Sequence, residues 1–192
     1  MGLIWDIVAV AIGAVVGSFL NVCICRIPED NESIVKPASR CPSCRSPIKP
    51  YDNIPVLSYL ILRGKCRNCG CRISFRYPAV ELLTGLMALF CLWQFGPTLQ
   101  AIGAFVFVCT LIVITFIDID HQIIPDVISL PGIPIFLLIA VFVMQVPWLD
   151  AVLGLLCGGG ILYAVAVGYE LVTKREGMGG GDIKLLGMLG AF

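Results

Sequence analysis

The chain of 192 residues carries a single histidine, His121. One histidine rules out a multi-histidine metal centre, and it argues against a Ser-His-Asp triad. No serine or cysteine stands with a base in an evident nucleophilic arrangement. Charge is also scarce: 14% of residues are Asp, Glu, Lys or Arg, and the formal net charge is +0. A balanced total says nothing about partners, so the information lies in where the charges fall. Residues 1–6 contain no basic residue, and no small-residue cleavage site follows. The first apolar block therefore reads as a retained membrane helix and not as a secretory signal.

What remains is largely apolar. Hydrophobic residues make up 58% of the chain and the mean hydropathy is +0.95, against about 45–50% apolar in soluble domains. The excess is gathered into blocks at about 7–25, 79–96, 98–117, 127–146 and 150–172, and a sixth begins near 183. Apolarity all round over such lengths predicts membrane helices. The sixth run stops at Phe192, short of the ~20 residues a span needs, so a chain shortened at that end is expected. The expected fold is all-α, a polytopic transmembrane helix bundle with a small cytoplasmic zinc-binding insert. Its parts are a first transmembrane helix over 1–25, the insert over 26–77 and a membrane core over 78–192. Pro78 suits a first helical turn, where its missing N–H is harmless.

Ten of the basic residues, from Arg26 to Arg76, lie in the insert, and Lys174, Arg175 and Lys184 flank a glycine run. The positive-inside rule then places the insert in the cytoplasm and the N-terminus outside. Counting spans puts 118–126 and 173–182 on that same face. Small residues within spans, Gly13-Ala14-Val15-Val16-Gly17-Ser18 and Gly154 with Gly158-Gly159-Gly160, read as close helix packing. Ser18 and Asn21 either line a cleft or bond to a neighbouring helix.

The insert holds Cys41-Pro-Ser-Cys44 and Cys66-Arg-Asn-Cys69-Gly70. Two such pairs about twenty residues apart have the ligand spacing of a tetrahedral four-thiolate zinc site. A closed set of four sulfurs leaves no position for water, which makes the metal structural. Iron fits the same sulfurs. Disulfides are disfavoured in a reducing cytoplasm, and Cys71 adjoins the second knuckle. The arginines and lysines lack the interleaved aromatics of a nucleic-acid module, so no nucleic-acid partner is expected. Membrane lipid headgroups suit the positive charge.

Two acidic segments remain. Phe116-Ile117-Asp118-Ile119-Asp120-His121-Gln122-Ile123-Ile124-Pro125-Asp126 follows an apolar run, and Gly177-Met178-Gly179-Gly180-Gly181-Asp182 opens one. Carboxylates at such positions are expensive without a use. Asp126, after Pro125, reads as a helix N-cap, and Asp120 and His121 as loop residues. Asp118 and Asp182 suggest an acid pair sharing one proton, as in aspartic proteases, with partial burial at the membrane edge holding that proton near neutral pH. Glycines at 179 and 181 would let a substrate strand approach Asp182.

Together these residues resemble the type IV prepilin peptidases, a family of Gly-x-Gly-Asp intramembrane aspartic proteases. The match is carried by Gly179-Gly180-Gly181-Asp182, by Asp118 ahead of Asp126, and by Gly17-Ser18-Phe19-Leu20-Asn21-Val22. It is carried further by the two cysteine knuckles, Tyr51-Asp52-Asn53-Ile54-Pro55-Val56-Leu57-Ser58, and Arg76-Tyr77-Pro78 with Glu81-Leu82-Leu83-Thr84-Gly85. These run in order from residue 17 to the end. The resemblance implies a multi-pass protein of the bacterial inner membrane serving type IV pili and type II secretion. It would cleave the leaders of prepilins and pseudopilins at the cytoplasmic face and methylate the new N-terminus from S-adenosylmethionine. It implies Asp118 and Asp182 as the catalytic pair. It also makes Glu81, with Gly179 and Gly181, part of a substrate or methylation site, where the alternative for Glu81 is helix-dipole stabilisation. Two rival readings stand beside it: a proton-coupled transporter or channel with a regulatory zinc insert, and a non-catalytic zinc-ribbon assembly protein. A proton relay needs acids through the membrane, whereas these map to one side.

Overall fold

The computed structural model describes residues 2–29, 35, 39–174 and 179–192; Lys36, Arg175, Gly177 and Met178 lie outside them. Among the described residues the protein is all-α. Its helices are α1 (Leu3–Arg26), α2 (Leu57–Ile61), α3 (Arg76–Phe95), α4 (Leu99–His121), α5 (Asp126–Phe142), α6 (Trp148–Thr173) and α7 (Gly180–Ala191), with a 3-10 turn at Pro50–Asn53. Four of them, α1, α3, α4 and α6, are long and apolar enough to cross a membrane. Even the 20 residues of α3 reach about 30 Å at ~1.5 Å per residue, the thickness of a hydrocarbon core.

Two boundaries differ from the sequence expectation. The third apolar block does not end before Asp118: α4 runs on through Asp118 and Asp120 to His121, and the Gln122 N–H closes on the Asp118 carbonyl at 2.8 Å. Asp120 and His121 are therefore helical, not loop, residues. At the other boundary, α5 is only 17 residues long and ends at Phe142 instead of near 146. There the Met144 N–H turns back to the Ile139 carbonyl, Gln145 takes a positive φ of 61°, and Pro147 follows as the N-cap of α6. Apart from Gln145 the turn residues are apolar, so hydropathy alone passes over the break.

The chain forms two compact units, Met1–Phe116 and Ile117–Phe192, with α4 passing from one into the other. In the first, α1 and α3 cross at close quarters. A Cβ on Gly13 would stand 2.8 Å from the Thr84 carbonyl oxygen, and one on Gly17 would stand 2.8 Å from the Glu81 Cα. Asn21 fastens the same crossing by donating to the Tyr77 carbonyl at 3.0 Å. In the second unit α6 packs on α7 through glycine. Gly154 meets the Gly190 carbonyl, a Cβ on Gly158 would come 2.5 Å from the Leu186 oxygen, and Gly159 faces Gly187. A Cβ on Gly160, from the same run, would meet no other element within 4 Å among the described residues. Almost nothing else of α6 is buried within the chain, and a helix apolar all round with so little protein cover has lipid as its solvent.

Candidate active site and metal centre

Asp118 stands in the last turn of α4 and Asp182 in the first turn of α7, both within the second unit. Three observations tie these ends together. The Gly181 backbone lies so close to the turn after α4 that a Cβ there would come 2.9 Å from the Ile124 Cβ. Lys184 donates to both carboxylate oxygens of Asp126, at 2.7 and 2.8 Å. The Asp182 N–H closes on the Gly179 carbonyl at 3.3 Å, starting the helix at the end of the glycine run. The α7 turn that carries Asp182 is thus seated on the Gln122–Asp126 turn that follows Asp118.

Both carboxylates are exposed, and no hydrogen bond or ion pair engages either among the described residues. The expected partial burial is therefore not supplied by the described residues. Asp126 is not an N-cap. Pro125 holds that place and Asp126 is the first helical residue, with its side chain committed to Lys184.

Glu81 lies in the second turn of α3 and is 8% exposed. One carboxyl oxygen accepts the Val56 N–H at 2.8 Å, and Ser18 also hydrogen-bonds to it. Through the Val56 N–H this side chain clamps the insert to α3. Val56 has φ 60° and ψ −48°, a conformation that β-branched residues avoid, and the Glu81 bond helps to hold it. Beside this clamp is a cleft of about 250 Å³, lined in part by Ser18, Val22, Asn53 and Pro55. Ser18 thus fills both roles open to it, lining a cleft and bonding to α3, and Asn21 bonds to α3.

In the insert, the sulfurs of Cys41, Cys66, Cys69 and Cys71 all lie within 4.8 Å of one another, a group that could hold a metal ion. A tetrahedral ion with Zn–S near 2.3 Å sets its sulfurs about 3.8 Å apart; Cys41 to Cys69 is 3.8 Å and Cys41 to Cys71 is 3.4 Å. The donor set therefore fits such an ion. Of the four cysteines expected from the spacing, three are in the group. Cys44 stands beside it, where hydrogen bonds from Ser46 pull its thiol down to about 6. Four thiols this close cannot all ionise without a cation among them, so loading with metal releases protons.

The rest of the insert is held by charge and aromatic faces. Arg67 forms a bidentate pair with Asp52, at 2.9 Å from Nε and 2.7 Å from Nη2, tying the 3-10 turn to the second knuckle. The hydrogen bond from Arg67 holds the Asp52 carboxyl below its ordinary range and correspondingly raises Arg67. Both Lys49 and Arg67 lie 5.6 Å from the Tyr51 ring centre. Sequence reasoning named Val56 and Lys184 but missed what each of them contacts. A positive φ at valine leaves no trace in composition, and the Lys184–Asp126 pair spans the whole of α5 and α6.

An acid-bearing helix end is thus seated on the turn that follows a second acid, in an apolar helical protein with a thiol-rich insert. Residues 11–95 match the Bacterial Peptidase A24 N-terminal domain, and residues 105–192 match the Type IV leader peptidase family. The chain belongs to the type IV leader peptidase family, a family of enzymes. Among its relatives are three proteins called prepilin leader peptidase/N-methyltransferase. That of Neisseria gonorrhoeae is 41% identical, over 96% of this chain and 72% of the relative. That of Myxococcus xanthus is 46% identical, over 94% of this chain and 54% of the relative. That of Pseudomonas putida is 38% identical, over 96% and 71%. No solved structure matches the chain.

Proposed function

We propose that the protein is an aspartic endopeptidase that removes the leader peptides of prepilins and pseudopilins at the cytoplasmic face of the bacterial inner membrane. The observation that supports it best is the seating of the α7 turn on the turn after α4, through Gly181 against Ile124 and Lys184 on Asp126. Asp118 and Asp182 then work as a pair. The ionised member takes a proton from water, and the protonated member donates to the scissile carbonyl oxygen as the water attacks. No acyl-enzyme forms. Gly179 leaves room for the substrate strand beside Asp182, whereas the open side of Gly181 is taken up by Ile124. Both acids are exposed among the described residues, so lipid and the bound substrate would be what excludes water from the pair.

The same protein would methylate the new N-terminus. S-adenosylmethionine would supply the methyl group. The cleft beside Ser18, at about 250 Å³, falls below the ~300 Å³ at which pockets begin to enclose whole ligands. Glu81 serves here to hold the Pro55–Val56 wall of that cleft. The insert carries zinc on cysteine thiolates, as a structural centre. Purified protein mixed with a prepilin, with the product mass read for leader removal and an added methyl, tests both activities. An uncleaved substrate contradicts the proposal, and cleavage without added mass contradicts the methylation alone.

A further inference from the structure

The two knuckles of the insert repeat one another. In the first, the Cys41 N–H bonds to the Ser46 carbonyl at 3.0 Å and the Arg45 N–H to the Cys41 carbonyl at 2.9 Å. In the second, the Cys66 N–H bonds to the Cys71 carbonyl at 2.8 Å and the Gly70 N–H to the Cys66 carbonyl at 3.0 Å. Arg45 and Gly70 both have positive φ, 56° and 71°. A bridge closes each loop, Arg40 with Pro47 and Lys65 with Arg72. Cys41 therefore corresponds to Cys66, Cys44 to Cys69, and Ser46 to Cys71. Where the first knuckle has a hydroxyl, the second has a fifth thiol.

That thiol is not remote from the others. Cys71 is 3.4 Å from Cys41, sulfur to sulfur, and belongs to the group within 4.8 Å, whereas Cys44 lies outside it. Cys44 has its own holders: the Ser46 side chain bonds to it, and the Asn68 side-chain amide lies 3.8 Å from its sulfur and 2.7 Å from the Ser46 hydroxyl. A tetrahedral ion takes four sulfurs, so five thiols at this spacing leave one over. We propose that Cys71 and Cys44 compete for the fourth coordination position beside Cys41, Cys66 and Cys69, so that this chain binds its metal with either of two four-thiolate sets. The displaced thiol stays next to the ion, and exchange needs only the local turn of a side chain. The inference rests on the metal reading of the insert.

Cobalt(II) is the probe, because its sulfur-to-metal charge-transfer band reports the number of bound thiolates. The full chain in detergent, Cys44→Ser and Cys71→Ser are each expected to bind cobalt with a four-thiolate spectrum. The Cys44→Ser/Cys71→Ser double variant is expected to lose that band. A four-thiolate band lost in Cys44→Ser alone overturns the proposal by making Cys71 a bystander. Loss in Cys71→Ser alone overturns it by making Cys71 a fixed ligand without a competitor. Retention in the double variant overturns it too. If the unaltered chain binds no cobalt, the metal centre itself is refuted, which separates the two failures. Cys41→Ser, which removes a ligand common to both sets, is the control for the band.

Discussion

Replacing Glu81 with alanine removes the acceptor for the Val56 N–H. Val56 sits at φ 60°, ψ −48°, and a branched residue held there stores about 1–3 kcal/mol of strain. Opposing that strain are the Glu81 bond, the Leu60 N–H on the Val56 carbonyl and the Ser58 N–H on the Ile54 carbonyl. Without Glu81 the half-buried amide loses its partner, a change of about 1–2 kcal/mol, which raises the open population of this segment about 5–30-fold. Hydrogen exchange on the protein in detergent reads it directly. The Val56 amide should exchange faster by that factor in Glu81→Ala. The Cys41 and Cys66 amides, bonded within their own knuckles, should not change. Glu81→Gln keeps an oxygen acceptor and should show a smaller effect. Unchanged exchange at Val56 in Glu81→Ala would refute the clamp.

Three further outcomes are expected. Gly181→Ala places a Cβ 2.9 Å from the Ile124 Cβ, so the variant should be less stable by about 1–3 kcal/mol in thermal unfolding and slower in leader cleavage, with partial recovery on adding Ile124→Gly; wild-type behaviour would mean that the two turns do not touch. The Asp52–Arg67 tie depends on an Asp52 pKa held low by Arg67. Its contribution is therefore fully present above the unfolded carboxyl value near 3.9 and is lost as pH falls through the lower folded value. The Arg67 Nε–H resonance should stay fixed from pH 8 down to about pH 4, and movement near pH 6 would contradict the pairing. Lys184→Ala removes an ion pair whose members are 31% and 58% exposed, so it should change stability by less than about 1 kcal/mol, and more at low salt than at high; a salt-independent loss would point to packing instead.

The membrane helices were legible because their solvent is lipid, so long apolar blocks announce them. Their ends were not. Aspartate disfavours helix interiors, yet α4 carries Asp118 and Asp120 inside its last turn, while the largely apolar stretch 143–146 is a turn that hydropathy reads as helix. Asp118 and Asp182 stood out as charges at the edges of apolar runs, and both occupy helix ends in the second unit. What brings those ends together, Lys184 reaching Asp126, spans a sequence distance no local pattern encodes. The Cys-x-x-Cys spacing marked the insert as metal-binding. It left Cys71 as a neighbour of the second knuckle and not a ligand, because pairing cysteines by spacing gives a fifth no place even when its sulfur lies among the others.

The central claim is that Asp118 and Asp182 act as one catalytic pair. Its most direct test is leader cleavage of a prepilin by Asp118→Asn and Asp182→Asn, each in membranes, with Asp120→Asn alongside. The account expects no cleavage from either of the first two and retained cleavage from the third. Normal processing by either Asp118→Asn or Asp182→Asn would contradict it.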